Sequence, residues 1–181
     1  ITQVSYRVRG LLTQIHPALE RVIGPRLDHP AILDLLQHYP SAAAMKTAGE
    51  KRLGNRLLKN APRKGRAWAG EVIAALGEQT VVVTGTGAGS LELPRLAGQL
   101  AALRRQRDEI AVEVEKIVEQ HPLQPVLTSM PGVGVRTAAR LLTEVTTKTF
   151  ATAGHLAAYA GLAPVTRRSG TSIRGEHPSR R

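Results

Sequence analysis

The residues best suited to chemistry lie in the segment 161–181, GLAPVTRRSGTSIRGEHPSRR, which mixes hydroxyl and guanidinium groups. A serine hydroxyl can attack a phosphodiester when nearby cations stabilise the negative charge that develops on the phosphate. The candidate nucleophiles are Ser169 and, as second choice, Ser172. The guanidinium groups, whose fork geometry fits phosphate oxygens, belong to Arg167, Arg168 and Arg174.

The same segment lacks a clear general base for such an attack. Gly170 would let a DNA backbone approach closely, but the only carboxylate among residues 161–181 is Glu176. Judged from these residues alone, a phosphate-binding loop without catalysis explains the segment better than an active site does.

A second candidate site precedes it in the run LTSMPGVGVRTAARLLTEV, residues 127–145. Gly132 and Gly134 allow a tight turn before a helix, as in a helix-hairpin-helix, and leave backbone N–H groups free to hold a DNA phosphate. Arg136 and Arg140 lie one helical turn apart and could flank that phosphate. The alternative is an ordinary joint between two helices packed inside the protein.

Two apolar repeats predict the helices that support these sites. Steps of three and four residues, typical of a coiled-coil seam, connect Ile1, Val4, Val8, Leu11, Ile15, Ala18 and Val22. The same steps connect Leu93, Leu96, Leu100, Leu103, Arg107, Ile110, Val114 and Ile117. Pro17 should break the first helix after Ile15. The two seams could pair within one chain or between chains.

Between the repeats, further helices are expected over about 31–39, 42–59 and 68–76, with Ser41 as a cap. The stretch 41–66 is the most basic of the chain and is a candidate contact for a DNA or RNA backbone. The run GTGAGS at 85–90 matches no phosphate-loop pattern, so we expect a flexible linker there.

The segment 150–160 predicts another small-residue helix, in which His155 and Tyr159 share a face. We interpret both as packing or surface residues, although Tyr159 could in principle attack DNA. Its similarity to the segment 39–49 is attributed to shared alanine-rich composition.

The amino-acid composition limits the kinds of function that the chain can have. The formal charge of +11 favours a polyanionic partner; an arginine-rich soluble surface is the alternative. Residues 1–66 carry 12 basic and 4 acidic side chains, whereas residues 67–120 carry 5 and 8. There is no cysteine, no histidine pair at metal-ligand spacing, no membrane-length apolar run and no signal peptide. A cytoplasmic protein without a membrane partner is therefore expected.

These patterns predict an all-α fold. Residues 1–120 should form a coiled-coil and linker region with a basic insertion at about 40–90, and residues 121–181 a small helical domain that contains the hairpin and the serine loop. The chain starts without methionine and ends in a basic, turn-rich stretch, so we expect a piece of a longer protein.

The run from PGVG through TAARLL and AAYAGLAPVTRRSGTSIRG closely resembles the C-terminal domain of Piv/MooV-type (DEDD) insertion-sequence transposases, the bridge-RNA-guided recombinases. The dense match covers about 127–181. The resemblance implies a DNA recombinase in which a serine, here Ser169, forms a phosphoserine link with DNA. It also implies multimers and a guide RNA as partners, with the upstream heptad helices as the coiled coil.

In that family an N-terminal RuvC-like domain supplies acidic metal ligands, and no such acidic quartet is visible here. We therefore expect no cofactor in this chain, Mg²⁺ only together with that domain, and no activity from the fragment alone. The alternatives are a non-catalytic module that binds nucleic acid and multimerises, or a coiled-coil assembly element whose charge is incidental.

Overall fold

The computed structural model describes residues 1–79, 82–145 and 148–162, and the course of the backbone over 164–169 and 173–178. The prediction of an all-α fold is confirmed. The strands found in the described residues are the two strands of one short hairpin. The nine described α-helices are α1 (Thr2–Ile15), α2 (Pro17–Ile23), α3 (Pro30–His38), α4 (Ala42–Leu58), α5 (Gly65–Glu78), α6 (Thr86–Glu119), α7 (Gln124–Thr128), α8 (Val135–Val145) and α9 (Ala153–Tyr159). The strands are β1 (Pro164–Ser169) and β2 (Ile173–Pro178).

The chain divides into two compact units, Ile1–Ile110 and Ala111–Arg181, and the division falls within α6. The core of the first unit is built from aliphatic side chains of α1 to α5 and of the first half of α6. Its largest fully buried members are Leu12, Leu19, Ile23, Ile32, Leu35, Leu36, Met45, Leu53, Leu57, Leu76, Leu93 and Leu100. Such burial is the main source of stability for a helical unit of this size.

The predicted break after Ile15 is confirmed, because α1 ends there and α2 begins at Pro17. His16 lies between the two helices, and its Nδ1 accepts a hydrogen bond from the backbone N–H of Leu19 at 3.1 Å. Burial lowers the pKa of His16, so the neutral ring that can accept this bond is favoured. The proline and the histidine cap together fix the change of direction.

Helices α4 and α5 form an antiparallel pair joined by a short turn. Ser41 caps α4 as predicted, accepting a hydrogen bond from Ala44 N at 3.1 Å. At the turn, a Cβ on Gly65 would lie only 2.7 Å from the backbone nitrogen of Leu58, so the two helices can meet there only because this position is a glycine.

The linker predicted at 85–90 is wrong, because α6 begins at Thr86 and continues through these residues. A Cβ on Gly89 would lie 3.1 Å from Cγ2 of Ile15, so this glycine allows α6 to pack closely on α1. Ser90 adds a hydrogen bond from its hydroxyl to the carbonyl of Thr86 at 2.8 Å. Tertiary packing therefore outweighs the low helix propensity of glycine.

The apolar seam of α6 is buried over only part of its length. Leu93, Leu96 and Leu100 are buried in the first unit. Farther along, Ile110 and Ile117 are 63% and 68% exposed. Arg107, on the same seam, is exposed and pairs with Asp108. Coiled-coil pairing along the exposed part stays a prediction.

The second unit contains α7, α8, α9 and the β1–β2 hairpin. The hairpin corrects the expectation of an irregular serine loop, because residues 164–169 pair with 173–178 as antiparallel strands. None of the helices in the described ranges is both long and apolar enough to cross a membrane.

Candidate active site and nucleic-acid interface

The β1–β2 hairpin determines where the candidate nucleophile lies in the backbone. Ser169 is the last residue of β1 and pairs with Ile173, the first residue of β2. The two are joined by the three residues 170–172. Gly170 and the second-choice nucleophile Ser172 therefore lie outside the described residues.

The register divides the candidate arginines between the two faces of the hairpin. Because successive residues of a strand alternate between faces, Ser169 and Arg167 share one face. Gly175 pairs with Arg167, so the position opposite this arginine carries no bulky residue. Arg168 and Arg174 pair with each other on the other face. Arg167 is thus the one arginine of β1 on the same face as the candidate nucleophile.

In the register of the paired residues of β1 and β2, no carboxylate or histidine is placed next to Ser169. Glu176 pairs with Thr166, on the face opposite to Ser169. His177 pairs with Val165 and lies on the same face as Ser169. Val165 and Ser169 are four residues apart, which corresponds to about 13 Å along a strand that rises about 3.3 Å per residue. That distance is too long for proton transfer from the serine hydroxyl.

The turn between α7 and α8 has the geometry that the two glycines predict. Gly132 adopts φ +80°, a left-handed conformation that favours glycine. Val133 N donates to Met130 O at 3.1 Å, and Ala138 N donates to Gly134 O at 2.9 Å as α8 begins. Gly132 and Gly134 are exposed. The turn is therefore open, unlike an ordinary joint packed in the interior.

Arg136 and Arg140 occupy the exposed side of α8 near this turn. Each guanidinium side chain is 78% exposed. Arg136 lies 3.6 Å from Oε1 of Glu115 and Arg140 lies 2.9 Å from Oε1 of Glu144. Surface ion pairs of this kind are weak and screened by salt, so both guanidiniums can exchange their carboxylate partner for a phosphate.

A cluster that the sequence did not predict joins α8 to α9. The hydroxyl of Tyr159 donates to Oε2 of Glu144 at 2.8 Å and accepts a hydrogen bond from Lys148, whose ammonium also lies 4.3 Å from the centre of the tyrosine ring. The hydrogen bonds from Tyr159 and Lys148 lower the pKa of Glu144. The hydrogen bonds to Tyr159 and Glu144 raise the pKa of Lys148. Tyr159 thus acts as a bridge between helices, and His155 is exposed.

Only part of this cluster has a signal in the sequence. Glu144 and Lys148 are four residues apart, the spacing of an ion pair on a helix. The approach of Tyr159, fifteen residues from Glu144, depends on the tertiary packing of α9 and has no local signature.

The described residues do not fit a metal site. Within them, no group of three or more histidine or acidic side chains is arranged to hold a metal ion.

Comparison with known proteins shows what the chain and its segment 124–181 are similar to. The family model "Transposase IS116/IS110/IS902 family" matches residues 124–181. An uncharacterized 43.6 kDa protein of insertion element IS110 from Streptomyces coelicolor is 54% identical over 180 residues, which cover 99% of this chain and 44% of that protein. No solved structure matches the chain.

Two more distant relatives match nearly the whole chain as well. The uncharacterized 44.8 kDa protein of IS116 from Streptomyces clavuligerus is 32% identical over 97% of the chain and 44% of that protein. The uncharacterized 42 kDa protein of IS900 from Mycobacterium paratuberculosis is 32% identical over 92% of the chain and 44% of its own length. The chain therefore spans less than half of the length of these insertion-element proteins, and its residues 124–181 are similar to the IS116/IS110/IS902 transposase family.

Proposed function

We propose that the chain is part of a DNA recombinase of the Piv/MooV (DEDD) type and that Ser169 is the nucleophile that attacks DNA. The observation that carries this proposal is the strand register, because Ser169 ends β1 with Arg167 two residues earlier on the same face and Gly175 opposite that arginine. A guanidinium beside a nucleophile stabilises the charge that develops on an attacked phosphate. The transposase family domain over residues 124–181 supports DNA as the substrate.

The proposed step is a phosphoryl transfer to serine. The hydroxyl oxygen of Ser169 forms a bond to phosphorus while the bond from phosphorus to one deoxyribose oxygen breaks. The hydroxyl proton passes to a base outside the hairpin, and the departing oxygen takes up a proton to become a hydroxyl. The phosphoserine ester conserves the energy of the broken linkage, so a second DNA hydroxyl can reverse the step on a new strand.

The base and the metal ligands would come from elsewhere in the protein. The chain spans 44% of the length of its IS110 relative, so more than half of such a protein lies outside these residues. The resemblance to the Piv/MooV family assigns an acidic RuvC-like domain with Mg²⁺ to that part and a guide RNA to the complex. The fragment alone is then inactive.

The α7–α8 turn would hold DNA for this reaction without reading its sequence. Its exposed glycines leave backbone N–H groups accessible at the start of α8, where the helix dipole favours an anion. Arg136 and Arg140 add cations within one helical turn. This interpretation as a helix-hairpin-helix belongs to the proposal.

The proposal is tested by trapping the covalent intermediate. A protein with the full length of its relatives is incubated with element DNA, guide RNA and Mg²⁺, and DNA that stays attached to protein in SDS is measured. Ser169→Ala should abolish the adduct while DNA binding and helical content are retained. Ser172→Ala is the matched control and should leave the adduct intact. An adduct that survives in Ser169→Ala contradicts the assignment of the nucleophile.

A second candidate function is a module that binds nucleic acid and multimerises without catalysis. The exposed cations of α8 and the exposed apolar residues of α6 favour it. It predicts no adduct in the well-folded native complex and an effect of Ser169→Ala on affinity alone.

A further inference from the structure

The basic stretch of the first unit differs from the rest of that unit in how its charges are balanced. Several lysines and arginines of α4, α5 and the turn between them are exposed, and among the described residues none of them has a carboxylate within ion-pair distance. They are Lys46, Lys51, Arg52, Lys59, Arg63, Lys64 and Arg66.

Most other arginines of the first unit are neutralised by a carboxylate. The pairs are Arg7–Glu92, Arg9–Glu20, Arg21–Glu78, Arg26–Glu71, Arg56–Asp34, Arg104–Asp28 and Arg107–Asp108. Cations that are concentrated on one surface and left unpaired repel one another, which disfavours the compact state. A polyanionic partner would remove this repulsion.

Beyond Gly49, whose φ of +73° interrupts the helical conformation within α4, the unpaired cations share one face of the helix. Lys51, Asn55 and Lys59 are spaced four residues apart, so they follow one another along a single side, and Arg52 lies within about 100° of Lys51. Leu53 and Leu57 face the core and are fully buried. The cationic face therefore points away from the core of the unit.

A groove between α4 and α5 brings cations of both helices together. It has a volume of about 380 Å³ and is lined by Glu50, Lys51, Gly54, Asn55, Arg66 and Ala69. Gly54 has no side chain to fill the groove. A Cβ at this position would lie 3.7 Å from Cβ of Ala69 on the other helix. Lys51 comes from α4 and Arg66 from α5, so an anion in the groove would meet a cation on either side.

We propose that this groove binds a backbone phosphate of a double-stranded nucleic acid, between Lys51 and Arg66, with the amide of Asn55 as a further donor. The proposal rests on the proposed function, which it deepens by naming a nucleic-acid contact in the first unit. The remaining unpaired cations contact neighbouring phosphates. Glu50, which also lines the groove, weakens the attraction but is outnumbered by the two cations.

The composition of the basic stretch favours a duplex over a single strand as the nucleic acid that is bound. Proteins that bind single strands stack bases on exposed aromatic side chains, and residues 41–66 contain no phenylalanine, tyrosine or tryptophan. From Lys51 to Lys59 the cationic face extends about 12 Å at about 1.5 Å per residue. One strand of a duplex places a phosphate about every 3.4 Å along its axis, so this face spans several phosphates.

The test measures binding of a labelled 24-base-pair duplex to the chain over a series of salt concentrations. Lys51→Ala combined with Arg66→Ala should weaken binding and reduce the slope of log affinity against log salt by about 1, because the variant loses the one phosphate contact that the two cations share. Glu50→Gln should strengthen binding. Arg95→Ala is the control, since Arg95 is also exposed but lies on α6 outside the groove.

Separate duplexes of DNA and RNA and a single strand of the same sequence identify the partner. The duplex whose binding weakens in the double variant is the one held in the groove. An unchanged slope on both duplexes, or tighter binding of the single strand than of either duplex, overturns the proposal. Unchanged helical content and thermal unfolding verify that the variants fold. A negative result in this binding test would not contradict the assignment of Ser169 as the nucleophile, because the covalent adduct is measured separately.

Discussion

At the scale of single residues, the strand register separates three arginines that the sequence presents as equivalent. Arg167, Arg168 and Arg174 all lie within five residues of Ser169. Alternation along β1 groups Ser169 with Arg167, whereas Arg168 and Arg174 pair on the other face. In the proposed reaction, one arginine would then act on the attacked phosphate and two would contact other parts of the DNA.

This division predicts different consequences for two adjacent substitutions. In a protein with the full length of its relatives, Arg167→Ala should slow formation of the serine adduct by roughly 100-fold, the usual effect of removing one group that stabilises developing charge. Arg168→Ala is the matched control and should weaken DNA binding without that loss of rate. Single-turnover assays at saturating DNA separate the two effects. Equal rate losses in both variants would contradict the assignment by face.

Single residues also show which features of the site could be predicted from the sequence and which could not. A tight turn at Gly132 and Gly134 could be predicted because glycines before a helix are a local signature, and Gly132 adopts φ +80° there. The bridge from Tyr159 to Glu144 and Lys148 was not predicted. It forms only when α9 packs beside α8, and no spacing rule connects residues so far apart in sequence.

At the scale of elements, the α4–α5 pair depends on one close approach. A Cβ on Gly65 would lie 2.7 Å from Leu58 N and 2.9 Å from the carbonyl carbon of Leu57, and backbone atoms cannot move aside as the end of a flexible side chain can. The groove that we propose as a phosphate site lies between these two helices, so its shape depends on this contact.

We therefore predict that Gly65→Ala destabilises the chain by about 1–3 kcal/mol, the usual cost of overpacking. Gly10→Ala is the control, because Gly10 lies within α1 and a Cβ there would meet no atom within 4 Å. That substitution should stabilise the chain by about 0.5–1 kcal/mol through helix propensity. Urea unfolding followed by circular dichroism measures both changes. A neutral Gly65→Ala would show that the helices do not meet as closely as described.

The elements also show which signals in the sequence are reliable. The break at Pro17 and the cap at Ser41 were predicted correctly, because each has a local stereochemical cause. The linker at 85–90 was wrong, because small residues that resemble a linker in isolation instead let α6 approach Ile15. Local composition could not reveal that contact.

Two segments whose similarity was attributed to alanine-rich composition also share local backbone geometry. The segments 39–49 and 150–161 each contain an aromatic residue two positions before a capping hydroxyl, at Ser41 and Thr152. Each cap is followed by a glycine with φ +73°: Gly49 interrupts the helical conformation within α4, and Gly161 comes after the end of α9. Alanine-rich composition alone does not require the cap and the left-handed glycine to recur together.

At the scale of the whole molecule, the distribution of charge indicates separate tasks along the chain. Residues 1–66 have a net charge of +8, from 12 basic and 4 acidic side chains, and residues 67–120 have a net charge of −3, from 5 and 8. The unpaired cations lie on α4, on the turn that follows it and at the start of α5, while α6 carries six of the eight acidic side chains of residues 67–120. A polyanion is thus attracted to one part of the chain, and α6 stays available for contacts of another kind.

The exposed apolar residues of α6 predict self-association. Ile110 and Ile117 continue the heptad seam yet are mostly exposed, and burying them against a second helix would be favourable. Ile110→Glu with Ile117→Glu should shift sedimentation of the chain toward the monomer. Substitution of Leu100 would instead disrupt the core, where it is fully buried. Leu91→Glu is the control, because Leu91 is 70% exposed but lies off the seam. If the double variant and the control sediment as the unmodified chain does, the seam does not mediate assembly.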